Sequence, residues 1–136
     1  MRFDTKIGIV VREDLADWQK LNVTAFLASA IAGGAEDVMG EPYADAAGNT
    51  YLAMIRQPIL VYSADAEALA RTHTRALSRD LPTAVYIEDM FKTTHDEANR
   101  AAVLEAPADA LPLVGLAVYG PRTQLDKTLK GLTLHT

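Results

Sequence analysis

The stretch Lys6-Ile-Gly-Ile-Val-Val11 decides the fold class. It is a short apolar run rich in β-branched residues, which is typical of a central strand buried on both faces. Arg12-Glu-Asp-Leu15 interrupts the run, and a helix is expected to follow. Asp14 or Asp17 is the expected N-cap of this helix, and Gly33-Gly34 is its expected end. The chain therefore opens with a buried strand followed by a helix.

Apolar residues run along this predicted helix in two stripes. The first stripe contains Trp18, Leu21, Ala25 and Ala28. The second contains Val23, Leu27, Ala30 and Ile31. A helix with apolar residues on two faces is expected to be covered on more than one side.

Strands and helices alternate along the rest of the chain. An edge strand is predicted at 50–56, and further strands are predicted at 59–62, 83–87, 113–119 and 132–134. Helices are predicted after a cap at Ser63 or Asp65, after a capping box of Thr94 with Glu97, and from Pro121 to Gly131. The alternation predicts one α/β domain over 1–136, a three-layer α/β/α arrangement with a mixed sheet of four to five strands.

Composition narrows the function classes. The chain of 136 residues has no cysteine, which excludes disulfides, thiolate metal sites and a cysteine nucleophile. It has neither an apolar run long enough to span a membrane nor a signal-peptide pattern, so we expect a cytoplasmic protein without a membrane partner. Lys and Arg total 13 against 18 acidic residues, a net charge of −5 that disfavours nucleic acid as a partner.

Common catalytic motifs are missing from the sequence. It contains no Gly-rich phosphate loop and no Gly-x-Ser-x-Gly nucleophile elbow. His73, His95 and His135 are not paired at a metal-ligand spacing. His95, Asp96 and Glu97 are neighbours, but adjacent helical residues point in different directions and cannot easily share an ion. No cofactor and no metal site are therefore predicted.

Several segments resemble the type 2 peptidyl-tRNA hydrolases in the same order. Ile7–Arg12 followed by Lys20 is similar to the opening strand and lysine-bearing helix of that family. Leu81–Ile87 with Asp89 is similar to its third strand and catalytic loop, and 116–134 is similar to its closing segments. The resemblance implies the family's fold over most of the chain. It also implies a catalytic lysine at Lys20 and a catalytic aspartate at Asp89.

The sequence departs from that family at other functional positions. The catalytic threonine of the family falls near Gly115, which has no hydroxyl. Thr24 and Leu27 stand where the family has glutamine and histidine. An extra helix is predicted near 95–104. With these departures, the chain is identified as a member of the domain of unknown function 2000 family, a resemblance that implies a fold and a site but no reaction.

Polar residues follow the ends of two predicted strands, where α/β sheets commonly hold ligands. If these residues hydrolyse an ester or amide, Asp89 orients or deprotonates the attacking water and Lys20 stabilises the developing oxyanion. The predicted catalytic residues are Lys20, Asp89 and Thr93. The predicted substrate-binding residues are Arg12, Asp14, Trp18, Thr24, Lys92 and Thr94.

Each of these residues also has a structural interpretation. Arg12 and Asp14 form a surface ion pair, Asp89 satisfies loop amides and Trp18 packs at the rim of the crevice. Two hypotheses for function therefore stay open. One is a hydrolase acting on an ester or amide smaller than tRNA. The other is a non-catalytic domain that binds a small molecule or assembles as a homodimer.

Overall fold

The computed structural model of the protein describes residues 2–136 and contains one five-stranded sheet and four α-helices. The strands are β1 (Thr5–Arg12), β2 (Tyr43–Ala44), β3 (Thr50–Tyr51), β4 (Ile59–Ala64), β5 (Thr83–Ile87), β6 (Leu113–Pro121) and β7 (Thr133–Leu134). The α-helices are α1 (Asp17–Gly34), α2 (Ala66–Ser78), α3 (Asp96–Leu104) and α4 (Arg122–Thr128). Short 3₁₀ turns cover Glu88–Phe91 and Ala108–Ala110. In this part of the chain no helix has the length and hydropathy needed to cross a membrane.

The main sheet has the strand order β5-β6-β1-β4-β7. β1 runs parallel to β4 and antiparallel to β6. β5 and β7 add to the two sides as antiparallel strands. The prediction of a mixed α/β fold, with five strands at the upper end of the expected range, is confirmed.

β1 is buried on both faces, as its composition predicts. Ile9 and Val11 belong to a core cluster that includes Val23 and Leu27 of α1. Val10, which points to the opposite face, belongs to a second cluster with buried side chains of α2 and α4. Helix α1 therefore covers one face of the sheet, and α2 and α4 cover the other.

The helix caps agree with the prediction at one of three positions. Asp65 caps α2 by accepting a hydrogen bond from the Ala68 N–H at 2.8 Å. For α1 the prediction of Asp14 or Asp17 was wrong, because Ala16 is the N-cap and the Gln19 side chain accepts its N–H at 3.0 Å. For α3 the prediction of Thr94 was wrong. His95 is the N-cap, and its Nδ1 accepts the Ala98 N–H at 3.2 Å.

Two other predicted features differ from the structure. Trp18 and Leu21 of α1 are 61% and 73% exposed, so one of the two apolar stripes lies largely open to solvent. The edge strand predicted at 50–56 is reduced to β3, which pairs with β2 in a separate ribbon. Pro58, which has no N–H to donate, precedes the start of β4 and limits pairing there.

Gly115 of β6 lies directly beneath α1. A Cβ at this position would be 2.4 Å from Cγ1 of Val23 and 3.0 Å from Cδ1 of Leu27. Both side chains are buried, and the branched Val23 side chain cannot easily rotate away. The missing side chain at 115 therefore has a packing reason, since it lets helix α1 approach the sheet.

Replacing Gly115 by alanine is expected to lower the free energy of unfolding by about 1–3 kcal/mol, because the added methyl overpacks the contact with Val23. Urea denaturation of the two proteins measures the difference. Gly33→Ala is the matched control, because nothing lies within 4 Å of a Cβ placed there. Gly33 lies in the last turn of α1, so this control should be neutral or stabilise by up to about 1 kcal/mol. Equal stability of Gly115→Ala and wild type would contradict the packing argument.

Candidate functional site

Helix α1 separates the predicted site residues into different cavities. Lys20 and Thr24 line a cavity of about 670 Å³, together with Val61 of β4 and His135; we call this the Lys20 cavity. The residues of the second cavity come from α1, β5, the segment after β5 and α3, and we call it the Trp18 cavity. It measures about 430 Å³, and its lining includes Trp18, Thr93 and Thr94. A third cavity of about 420 Å³ is lined by Gln19, Glu88, Asp89, Phe91 and Lys92.

Lys20 and Asp89 line different cavities. Asp89 follows β5 at one edge of the sheet, whereas the Lys20 cavity lies beside β4. β6 and β1 lie between these two strands. Helix α1 contributes to both cavities, since Gln19, the residue before Lys20, lines the Asp89 cavity. Asp89 and Lys92 do share a cavity, and the Lys92 N–H donates to the Asp89 carbonyl oxygen at 3.0 Å.

Lys20 instead contacts His135, which the sequence did not single out. The distance between Lys20 Nζ and His135 Nε2 is 3.1 Å. The other ring nitrogen, Nδ1, lies 2.8 Å from the carbonyl oxygen of Thr136, where only an N–H makes a hydrogen bond. Nε2 therefore carries the lone pair that accepts a hydrogen bond from the Lys20 ammonium. The main chain holds His135 in place, since its N–H donates to the Val61 carbonyl at 2.9 Å.

The remainder of the Lys20 cavity is mainly apolar. Val11 and Val61 form its floor on the sheet, and Leu21 and Ala25 of α1 form a wall. Asp17 is the acidic residue in the lining. Thr24 also lines it, but its hydroxyl donates to the Lys20 carbonyl at 2.7 Å. An apolar cavity with a few convergent polar groups is the usual form of a small-molecule site.

Arg12 and Asp14, both predicted to bind substrate, bind each other. Arg12 Nε lies 2.6 Å from Asp14 Oδ1, and Arg12 Nη2 lies 3.1 Å from Glu88 Oε1. The hydrogen bond from Arg12 lowers the pKa of the Asp14 carboxyl from its ordinary value. The three side chains join the end of β1 to the end of β5. This is the structural role that the ion-pair interpretation assigned to Arg12 and Asp14.

The Thr93 hydroxyl is engaged in local contacts. Its Oγ1 lies 3.2 Å from the Met90 carbonyl oxygen and also contacts Asn99 Oδ1. A hydroxyl has one proton to donate: donation to Asn99 ties the loop to α3, and donation to Met90 closes a turn within the loop. The position suits a structural residue better than a nucleophile or a proton donor.

Comparisons with known proteins agree with the fold and assign no activity. The model of a family described as "Protein of unknown function (DUF2000)" matches residues 5–136. A solved structure of a protein of unknown function, Atu0240 from Agrobacterium tumefaciens strain C58, is 49% identical with a TM-score of 0.96. That match covers 99% of this chain and 100% of the other. No protein with a curated description matches the chain.

Replacing Arg12 by methionine should raise the pKa of Asp14 toward the ordinary aspartate value of about 3.9, because the ion pair that stabilises the carboxylate is lost. An NMR titration of the side-chain carboxyl carbons measures the change. In the wild type, the Arg12–Asp14 pair stabilises the folded protein at pH values above the pKa that Asp14 has in the unfolded chain. This stabilisation is lost as the pH falls through the lower pKa that Asp14 has in the folded protein.

Asp126 provides the internal control for that titration. Its pKa is also lowered, by a hydrogen bond from Lys6 at 2.7 Å, and it should not change in Arg12→Met. An Asp14 pKa that stays at its wild-type value in the variant would show that Arg12 is not the cause.

Proposed function

The chain belongs to the DUF2000 family, and from the geometry of its cavities we propose that it binds a small, largely apolar molecule with an anionic group in the Lys20 cavity. One observation carries the proposal: the Lys20 ammonium stands in the lining of a mainly apolar cavity of about 670 Å³. That volume lies within the range of about 300–1,000 Å³ that small-molecule sites occupy.

The hydrogen bonding of Lys20 supports an anionic ligand. Its side-chain partner is Nε2 of His135, which accepts from one of the three N–H groups of the ammonium. Among residues 2–136, Lys20 is in none of the ion pairs closer than 4.0 Å. Its charge can therefore pair with a ligand carboxylate, and charge-assisted hydrogen bonds of this kind are stronger than neutral ones.

The apolar walls of the cavity indicate that the rest of the ligand is apolar. Val11 and Val61 are contributed by the sheet, and Leu21 and Ala25 by the exposed stripe of α1. Leu21 is 73% exposed, and a bound ligand would remove part of this apolar surface from water. Burial of apolar area contributes about 25 cal/mol per Å². A short acyl chain or an aromatic acid fits both requirements.

Hexanoate is expected to raise the melting temperature of the wild type, because a ligand that binds only the folded state stabilises it by mass action. Hexanamide, which has the same chain without the charge, should bind more weakly. Lys20→Met, which keeps the apolar stem, should weaken hexanoate binding about tenfold, and calorimetric titration measures the change.

Lys92→Met is the matched control, since Lys92 lines a different cavity. It should bind hexanoate as the wild type does. Equal affinity of wild type and Lys20→Met, or equal losses in both variants, would refute the assignment of the ligand to the Lys20 cavity.

A second candidate function, hydrolysis of a small ester, is favoured by the orientation of His135. The contact of Nδ1 with the Thr136 carbonyl leaves the lone pair on Nε2, and this nitrogen becomes an oriented general base once Lys20 turns from it to the substrate. His135 could deprotonate a water while the Lys20 ammonium stabilises the developing oxyanion. In this mechanism Lys20 keeps the role predicted from the sequence, and His135 replaces Asp89 as the base.

Turnover of p-nitrophenyl hexanoate distinguishes the two bases. If His135 is the base, His135→Gln should lower kcat by about 100-fold or more, and Asp89→Asn should leave it unchanged. Loss of turnover in Asp89→Asn alone would restore Asp89 to the role first predicted. The likeness in fold to type 2 peptidyl-tRNA hydrolases stays a proposal, supported by the order of the strands and helices, and it assigns no reaction.

A further inference from the structure

The Trp18 cavity lies on the other side of α1 and has a different chemical character. Four aromatic side chains line it in a continuous row. The ring centroids of Trp18 and Phe91 are 5.8 Å apart with an angle of 69° between the ring planes. Those of Phe91 and Tyr86 are 5.3 Å apart, and those of Tyr86 and Phe26 are 5.9 Å apart. Trp18 and Phe26 are 61% and 56% exposed, so much of their ring surface is open to a ligand.

Two carboxamides in the same lining each retain one hydrogen-bonding atom. The Asn22 amide nitrogen donates to the Tyr86 hydroxyl at 3.3 Å, which leaves the Asn22 carbonyl oxygen as an acceptor. The Asn99 carbonyl oxygen contacts the Thr93 hydroxyl, which leaves the Asn99 NH₂ group as a donor. Both residues are half-buried. The cavity thus combines aromatic surface with an acceptor on Asn22 and a donor on Asn99, beside the hydroxyls of Tyr86 and Thr94.

The charges around this cavity favour an uncharged ligand. Asp96 is the lining residue that carries a formal charge, and it is paired with Arg100 one helical turn away. His95 accepts the Ala98 N–H through Nδ1, which requires that nitrogen to be unprotonated. The lining has no lysine or arginine, in contrast to the Lys20 cavity. An anion would gain no countercharge here.

We propose that the Trp18 cavity is a second binding site, and that it takes a planar, uncharged heteroaromatic ring with an adjacent donor and acceptor, as a nucleobase has. The ring would pack against Trp18 and Phe91, since aromatic pairs add about 0.5–1.5 kcal/mol beyond the area that they bury. Its N–H would donate to Asn22 and its carbonyl would accept from Asn99. This site is independent of the anion site at Lys20, which lies across α1.

Internal packing alone does not account for this arrangement. Tyr86 is buried and is explained as part of the core around α1. Trp18 is mostly exposed, yet it adjoins half-buried amides whose remaining donor and acceptor are not used within residues 2–136. Polar groups that converge beside an exposed aromatic surface are typical of ligand sites.

Trp18 is the only tryptophan, so its fluorescence reports directly on this cavity. Titration of the whole chain with hypoxanthine, a neutral ring with adjacent N–H and carbonyl groups, should give saturable quenching. 1-Methylhypoxanthine lacks that N–H and should bind about tenfold more weakly, because Asn22 then loses its donor.

Variants separate specific binding from collisional quenching of an exposed indole. Asn99→Leu and Asn22→Leu should each weaken hypoxanthine binding about tenfold, and circular dichroism identifies a variant that fails to fold, in which case the other decides. Lys20→Met should bind hypoxanthine as the wild type does. Quenching that never saturates, or that is equal in the wild type and the folded asparagine variants, would overturn the proposal.

Discussion

The burial of strand β1 on both faces is the constraint on which the rest of the structure depends. Ile9 and Val11 face α1, and Val10 faces α2 and α4. A strand without a solvent face needs helices above and below it, and this requirement produces the layers of the fold. It also holds α1 flat against the sheet, so that the grooves along its two sides become the Lys20 and Trp18 cavities.

Local sequence signals predicted most of the fold because they arise from neighbouring residues. The β-branched runs gave β1, β4 and β5, and the Asp65 cap gave the start of α2. The wrong predictions concern helix N-caps, where more than one nearby side chain is able to make the capping hydrogen bond. A glutamine reaching back from the first turn of α1 replaced the expected aspartate cap, and a histidine replaced the expected threonine cap of α3.

The site was harder to predict from the sequence than the fold, because the residues that meet in it depend on which strands are neighbours. Lys20 and Asp89 were predicted to share one pocket, but they line different cavities, beside β4 and after β5. His135 was missed for the same reason. It lies 115 positions from Lys20 in the chain and reaches it only because β7 pairs with β4. A polar residue directly after the closing strand was the one available signal.

The close contact at Gly115 has a consequence for how sequences of this fold can diverge. A hydroxyl-bearing side chain at 115 meets the Val23 methyl group, so it becomes tolerable only after residue 23 has become smaller. A smaller residue at 23 without that change leaves a void beneath α1, which is also costly. The two positions are epistatic, and each single step passes through a less stable intermediate. A chain with glycine at 115 and valine at 23 is therefore separated by a stability barrier from one with a hydroxyl-bearing residue at 115.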